Sequence, residues 1–274
     1  MSPANMRSID LLFLDLDGTL IGHTGQVREQ LWPAIDRMRD AGIILSICTG
    51  RPFGGIAAEV ATKLGDEQVP HIYTGGALTC TSTGEVIHAE TVAPEDVVGM
   101  VERARKEALT LELYTSDTIF VDRQTDFSRR HADLLGMTST ESDLIAIANT
   151  LPIIKTQWIL AHEQAPDILD TPTPGCHAAV GTSDVMPEVT FITVTREDVD
   201  KGSACRRVAK SLNISSERVG AVGDSTGDIP MFQGIGAPYV MGNSPQSMLD
   251  AYPNLPSISE DGILELARIV LGEA

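Results

Sequence analysis

Aromatic residues make up only 4% of this 274-residue chain, so whatever core it builds must be aliphatic. Cations are scarce too, with 20 Lys and Arg against 38 Asp and Glu and a formal net charge of −18. That deficit argues against nucleic-acid and acidic-membrane partners, which need a basic face to displace counterions. It also denies an anionic ligand any help from the overall field, so attraction must come from a local cation. The four cysteines, Cys48, Cys80, Cys176 and Cys205, are far apart and form no CxxC pair. A disulfide framework or a zinc site is therefore not expected. No apolar run approaches a membrane span, and the stretch Leu11 to Leu14 stops at Asp15, unlike a signal peptide. A cytoplasmic location is the expectation.

Several motifs are missing as well. The chain has no Gly-Lys pair and hence no Walker-A loop. Gly234-Ile235-Gly236 runs on to Tyr239, where a dinucleotide fingerprint needs glycine, and His162-Glu163 is followed by Pro166, not by HExxH. Gly223-Asp224-Ser225-Thr226-Gly227 does fit the G-x-S-x-G nucleophile elbow. An esterase of that kind needs a later histidine, and the last histidine is His177.

What remains is a chain with 42% hydrophobic residues, enough for a sizeable core. Four short apolar runs, 9–14, 43–48, 71–73 and 219–222, end abruptly in polar or glycine-rich turns. They alternate little, as strands covered on both faces do. Helical patterns lie between them. One carries Leu31, Ile35 and Met38, with Pro33 marking a start near Gln30 or a kink, and stops at Ala41-Gly42. Strand, turn and helix repeated predict an α/β fold, a Rossmann-like parallel sheet with helices on both faces. The middle reads differently. After a helix from about Pro94 to Ala108, short strand-like segments come in adjacent groups, which predicts an antiparallel sheet in an inserted α+β unit. We place the core at residues 1–78 and 192–274 and the insertion at 79–191.

Four elements carry chemistry. Asp15-Leu16-Asp17-Gly18 follows the first strand, and side chains two apart on an extended chain share a side, so two carboxylates are expected to converge there. Such a set suits Mg2+. A calcium loop does not fit, because Thr19, Leu20 and Gln26 stand where that loop needs an Asp or Asn, a Gly and a Glu. Thr49-Gly50-Arg51-Pro52 ends the second strand before a helix and offers an oxyanion cradle. Lys201-Gly202 opens a helix, where a cation opposes the helix dipole and so suggests a use. Asp224 and Asp228 follow the strand 219–222.

In this order, each at a strand-to-helix turn, the four elements resemble the haloacid dehalogenase superfamily, and specifically its Cof-type phosphatases with a large α/β cap. The stretch DKGSACRRVAKSLNI and the later Gly242-Asn243 belong to the same resemblance. It implies a phosphatase acting on a small phosphorylated substrate, such as a sugar phosphate, through an aspartyl phosphate. Asp15 would be the nucleophile and Asp17 the general acid and base. Mg2+ would be held by Asp15, the Asp17 carbonyl and Asp224, with Asp228 in support. Thr49, Gly50 and Lys201 would hold phosphoryl oxygens, with Arg51 and Asn243 nearby. Two positions depart from the family pattern: Gly75 and Gly227 stand where many Cof-type members have asparagine. A phosphomutase using the same nucleophile and a non-catalytic binding protein of the same fold are the alternatives. Nothing in the sequence marks an oligomeric state.

Overall fold

The computed structural model describes residues 9–183 and 185–273. Residues 1–8 and Ala274 of the expected core, and Asp184 of the expected insertion, lie outside the described residues. The chain divides into two compact units. Of the described residues, one contains 9–50, Ala57–Ile87 and 200–273. The other contains Arg51–Ile56 and His88–Val199.

The first unit is built on a parallel sheet ordered Ala237–Val240, Val219–Gly223, Leu11–Leu14, Ile44–Ile47. Leu11 through Leu14 are all fully buried, as a strand covered on both faces requires. Leu11 and Phe13 pack with Ala204, Cys205 and Val208 of the helix Lys201–Ser211. Burying each such side chain contributes roughly 1.5–3 kcal/mol. The helix Trp32–Asp40 has Pro33 in its first turn, where the missing N–H would be unpaired anyway, so Pro33 marks a start and not a kink. Gly42 then leaves the helix at φ +87°, a conformation only glycine adopts freely. His71–Tyr73 pairs antiparallel with Leu78–Cys80, a strand not foreseen from sequence.

The second unit carries a six-stranded sheet ordered Cys176–Gly181, Val189–Arg196, Lys155–Ala161, Thr110–Tyr114, Ile119–Val121, Ser139–Glu141. It is antiparallel except for its last pair, which is parallel and corrects the purely antiparallel expectation. One face packs Leu111, Leu113, Trp158, Leu160, Ile192 and Val194 against the helices Pro94–Glu107 and Leu144–Thr150. The expected boundaries at 79 and 191 also shift. Residues Val189 to Val194 of the strand Val189–Arg196 pair with Lys155–Ala161, so a cut at 191 would split a strand, and the break falls after Val199. All four cysteines are free. Among the described residues no helix is long and apolar enough to cross a membrane.

Candidate active site

The strand Leu11–Leu14 delivers Asp15 at its carboxyl end, where open α/β sheets bind ligands. Its carboxylate is only 4% exposed. The backbone then turns tightly: the amides of Leu20 and Ile21 both donate to the Leu16 carbonyl at 2.9 and 2.7 Å. Gly18 makes the turn possible at φ +79°. A Cβ there would lie 2.0 Å from Asp224 Oδ2, so the absent side chain is what lets the two loops approach.

Lys201 sits on the first turn of its helix, behind the N-cap Asp200, whose side chain accepts from the Ser203 amide at 2.6 Å. Its ammonium donates to Asp15 Oδ1 at 2.6 Å and to Asp228 Oδ1 at 2.5 Å. Burial disfavours that charge, but Asp15 and Asp228 outweigh it and hold the Lys201 pKa well above the usual lysine range. The cation expected to carry local positive charge is thus fixed by two carboxylates.

Asp228 is fully buried and spends its second oxygen within its own loop. Oδ2 accepts from the Asp224 amide at 3.0 Å, the Ser225 amide at 2.9 Å and the Ser225 hydroxyl at 3.1 Å. Gly223 admits this arrangement, since a Cβ there would meet Asp228 at 2.5 Å. With four donors on it, Asp228 orients the Asp224 loop and Lys201.

Among the described residues, the group able to hold a metal ion is Asp15, Asp224 and Asp228, with one ligand oxygen from each lying within 4.8 Å of the others. Burial and the Asp228 charge push the Asp15 carboxyl well above the ordinary range in spite of Lys201. Burial, again with Asp228, lifts Asp224 to about 6. Three carboxylates face one ammonium, so negative charge is left uncompensated in a site made of oxygen donors alone. That chemistry fits a hard divalent cation such as Mg2+. Asp17 departs from the expected convergence: its side chain is exposed and outside this group, although its charge still raises Asp15 and Asp224.

Three further expectations need revision. The helix after the second strand runs Gly55–Lys63, so Thr49 and Gly50 lie on the loop before it and gain nothing from its N-terminus. Thr49 is held there through its amide to the Ile72 carbonyl, and its carbonyl accepts from Gly75, both at 3.0 Å. Arg51 groups with the second compact unit. Asn243, expected among the phosphate contacts, spends both amide hydrogens on Gly18 O at 2.9 Å and Asp224 Oδ2 at 3.1 Å. Its carbonyl accepts from the Ile258 amide, so Asn243 is a brace between two loops. Asparagine's ability to donate twice and accept at once is the signal that could have suggested this. Gly75, at φ +65°, has nothing within 4 Å of a Cβ position, and at Gly227 the nearest atom is Ser225 Oγ at 3.4 Å. A side chain at 75 would therefore enter open space, and one at 227 would rest against the Ser225 hydroxyl.

A family model described as haloacid dehalogenase-like hydrolase matches residues 12–266. Phosphatase YwpJ of Bacillus subtilis (strain 168) is 23% identical over 257 residues, covering 85% of this chain and 90% of that protein. The 5-amino-6-(5-phospho-D-ribitylamino)uracil phosphatase YwtE of the same organism is 23% identical over 262 residues, covering 84% and 87%. A haloacid dehalogenase-like hydrolase from Bacteroides thetaiotaomicron superposes with a TM-score of 0.83 at 22% identity, over 96% of this chain and 99% of that one. With the family model spanning nearly its whole length, the chain belongs to the haloacid dehalogenase-like hydrolases.

Proposed function

We propose that the protein is a cytoplasmic, Mg2+-dependent phosphatase that hydrolyses phosphomonoesters of small metabolites through an aspartyl phosphate on Asp15. The observation that carries this reading is the buried Asp15 carboxylate, held through one oxygen by Lys201 and flanked by Asp224. That restraint leaves the second oxygen of Asp15 to attack phosphorus in line. An acyl phosphate forms as the alcohol departs, dividing one hard displacement into two easier ones. Asp17, exposed at the turn, protonates the leaving oxygen and then takes a proton from the water that cleaves the acyl phosphate. Lys201 and the Thr49-Gly50 loop hold the phosphoryl oxygens. Mg2+, held by Asp15, the Asp17 carbonyl and Asp224, supplies the remaining positive charge when bound. The phosphatases YwpJ and YwtE, similar over most of their length, support the reaction class. A phosphorylated sugar or similar small metabolite is the substrate class we favour.

The stereochemical course at phosphorus, read with an ester whose phosphorus is made chiral by oxygen isotopes, tests the mechanism. Two successive in-line displacements should give net retention. Net inversion would mean direct attack by water and would remove Asp15 as nucleophile. Asp15→Asn should be inactive on every ester. Asp17→Asn should lose about a hundred- to ten-thousandfold on an alkyl phosphate but much less on nitrophenyl phosphate, whose leaving group needs little acid help.

A further inference from the structure

The first unit holds a cavity of about 540 Å³ along the second half of the helix Lys201–Ser211, and none of its lining residues belongs to the Asp15, Lys201, Asp224 and Asp228 cluster. Local chain geometry builds it. The helix closes at Asn213, which takes φ +56°, a conformation asparagine tolerates better than most residues. The Asn213 amide donates to the Lys210 carbonyl at 3.1 Å and the Ile214 amide to the Ala209 carbonyl at 2.9 Å, so Ile214 is folded back beside the helix as one wall. For the other wall, the Gly236 amide donates to the Ser216 carbonyl at 2.8 Å. A Cβ at 236 would lie 2.0 Å from the Glu217 carbonyl oxygen, so glycine there is what lets Ile235 approach. Cys205, Ala209 and Val219 form a buried floor and pack in one apolar cluster with Ile214 and Ile235. Burial holds the Cys205 thiol well above its usual range, so the floor carries no charge.

The rim carries charge of one sign. Arg206 and Lys210 line the cavity, are exposed, and stand four residues apart on one face of the helix. Among the described residues neither makes an ion pair or a side-chain hydrogen bond, and no carboxylate lines the cavity. This is a chain with 38 Asp and Glu against 20 Lys and Arg, yet two neighbouring cations are left unmatched here. Like charges at that spacing repel. Lys210 complements the carboxyl end of the helix, whereas Arg206 lies before the last turn and gains little from it. An apolar floor takes up an apolar body, and an unmatched cationic rim takes up an anionic head. A neutral apolar molecule would leave the rim unused, and an inorganic anion would leave the floor wet. The volume falls within the roughly 300–1,000 Å³ of small-molecule sites. We infer that this cavity binds a small amphipathic anion, a carboxylate or similar head group on a short apolar body. The inference is independent of the phosphatase reading.

Calorimetric titration of the full chain with octanoate tests this, with octan-1-ol as the probe of equal chain length and no charge. Octanoate should bind more tightly than octan-1-ol. The double variant Arg206→Gln, Lys210→Gln changes two exposed side chains, so its thermal unfolding should match wild type. It should bind octanoate roughly three- to thirtyfold more weakly, the range expected when two exposed, solvent-screened charge contacts are lost. Its affinity for octan-1-ol should not change. Lys210→Glu, which reverses one charge, should weaken octanoate further than Lys210→Gln does. Octanoate that fails to bind wild type, binds no better than octan-1-ol, or binds the double variant as tightly as wild type overturns the inference.

Discussion

Lys201 in the first unit is 9% exposed and Lys155 in the second is 5% exposed, yet the protein treats the two ammonium groups in opposite ways. Lys201 is bracketed by carboxylates at 2.6 and 2.5 Å, which hold its pKa above the usual lysine range. Lys155 has an aromatic ring beneath it and, among the described residues, no carboxylate within ion-pair distance, and burial lowers its pKa to about 8. Burial is common to both, so the partner decides. A paired buried charge belongs to the resting structure. An unpaired one is a standing cost of the fold.

The largest effect that could break the comparison comes from Lys201→Met. It leaves Asp15 and Asp228 buried together without their cation, and breaking a buried pair from one side costs roughly 3–5 kcal/mol. Urea unfolding at pH 7 would show it, together with loss of phosphatase activity. Adding Asp15→Asn to that variant should restore part of the stability by removing one of the repelling charges. A Lys201→Met protein as stable as wild type would mean that the bracket contributes nothing.

The two lysines also mark how far the sequence could be read. Asp15, Lys201, Asp224 and Asp228 each sit at the end of a strand or the start of a helix within a few residues of a glycine, so local chain geometry fixes their neighbourhood. The parallel core is legible for the same reason: its strands are continuous apolar runs. Glu112, Tyr114, Lys155 and Thr193 come together only through strand register between segments far apart in the chain, which no local pattern states. Their alternation with Leu111, Leu113 and Trp158 is visible, but alternation ordinarily marks a solvated face. Here that face is buried. A boundary at 191 splits the strand Val189–Arg196, whose first six residues pair with the second unit's strand Lys155–Ala161, and that pairing is not visible in local composition. The motif Gly242-Asn243 points to phosphate, whereas the bonds of Asn243 to Gly18 and Asp224 depend on loops 225 and 19 residues away.

A second measurement sharpens the first unit's side of the comparison. Lys201 neutralises only part of its site, so a divalent cation should still stabilise the fold. At a hundredfold excess over its dissociation constant the gain is about 2.7 kcal/mol. The gain should depend on pH. Asp224 titrates at about 6 in the folded chain against 3.8 ordinarily, and Asp15 is shifted in the same direction. Between those values the folded state binds more protons than the unfolded one, so metal-free stability falls as pH rises through the window. Mg2+ competes with those protons, and its stabilisation should be small at pH 5 and large at pH 7.5. Thermal melts with chelator and with Mg2+ at both pH values would show this. Equal Mg2+ shifts at the two values would place the cation elsewhere.

The smallest expected effect concerns Lys155, and its sign is what matters. In the unfolded chain this ammonium titrates near 10.5, and in the folded chain burial lowers it to about 8. At pH 7 both states carry the charge, and the folded state bears the desolvation without a partner. Lys155→Met removes the charge at similar volume, so the variant should be more stable than wild type at pH 7 by roughly 1–3 kcal/mol, less whatever the contact with the Tyr114 ring contributes. As pH rises from 8 to 10.5 the folded wild type releases its proton while the unfolded chain keeps it. The unfolded state then binds more protons, and wild-type stability rises relative to the variant. The gap should therefore close across that interval, read from urea midpoints at pH 7, 9 and 10. A gap that stays constant would show that the gain comes from packing and not from charge. A variant less stable than wild type at pH 7 would mean that the protein itself already satisfies Lys155, and the contrast with Lys201 would disappear.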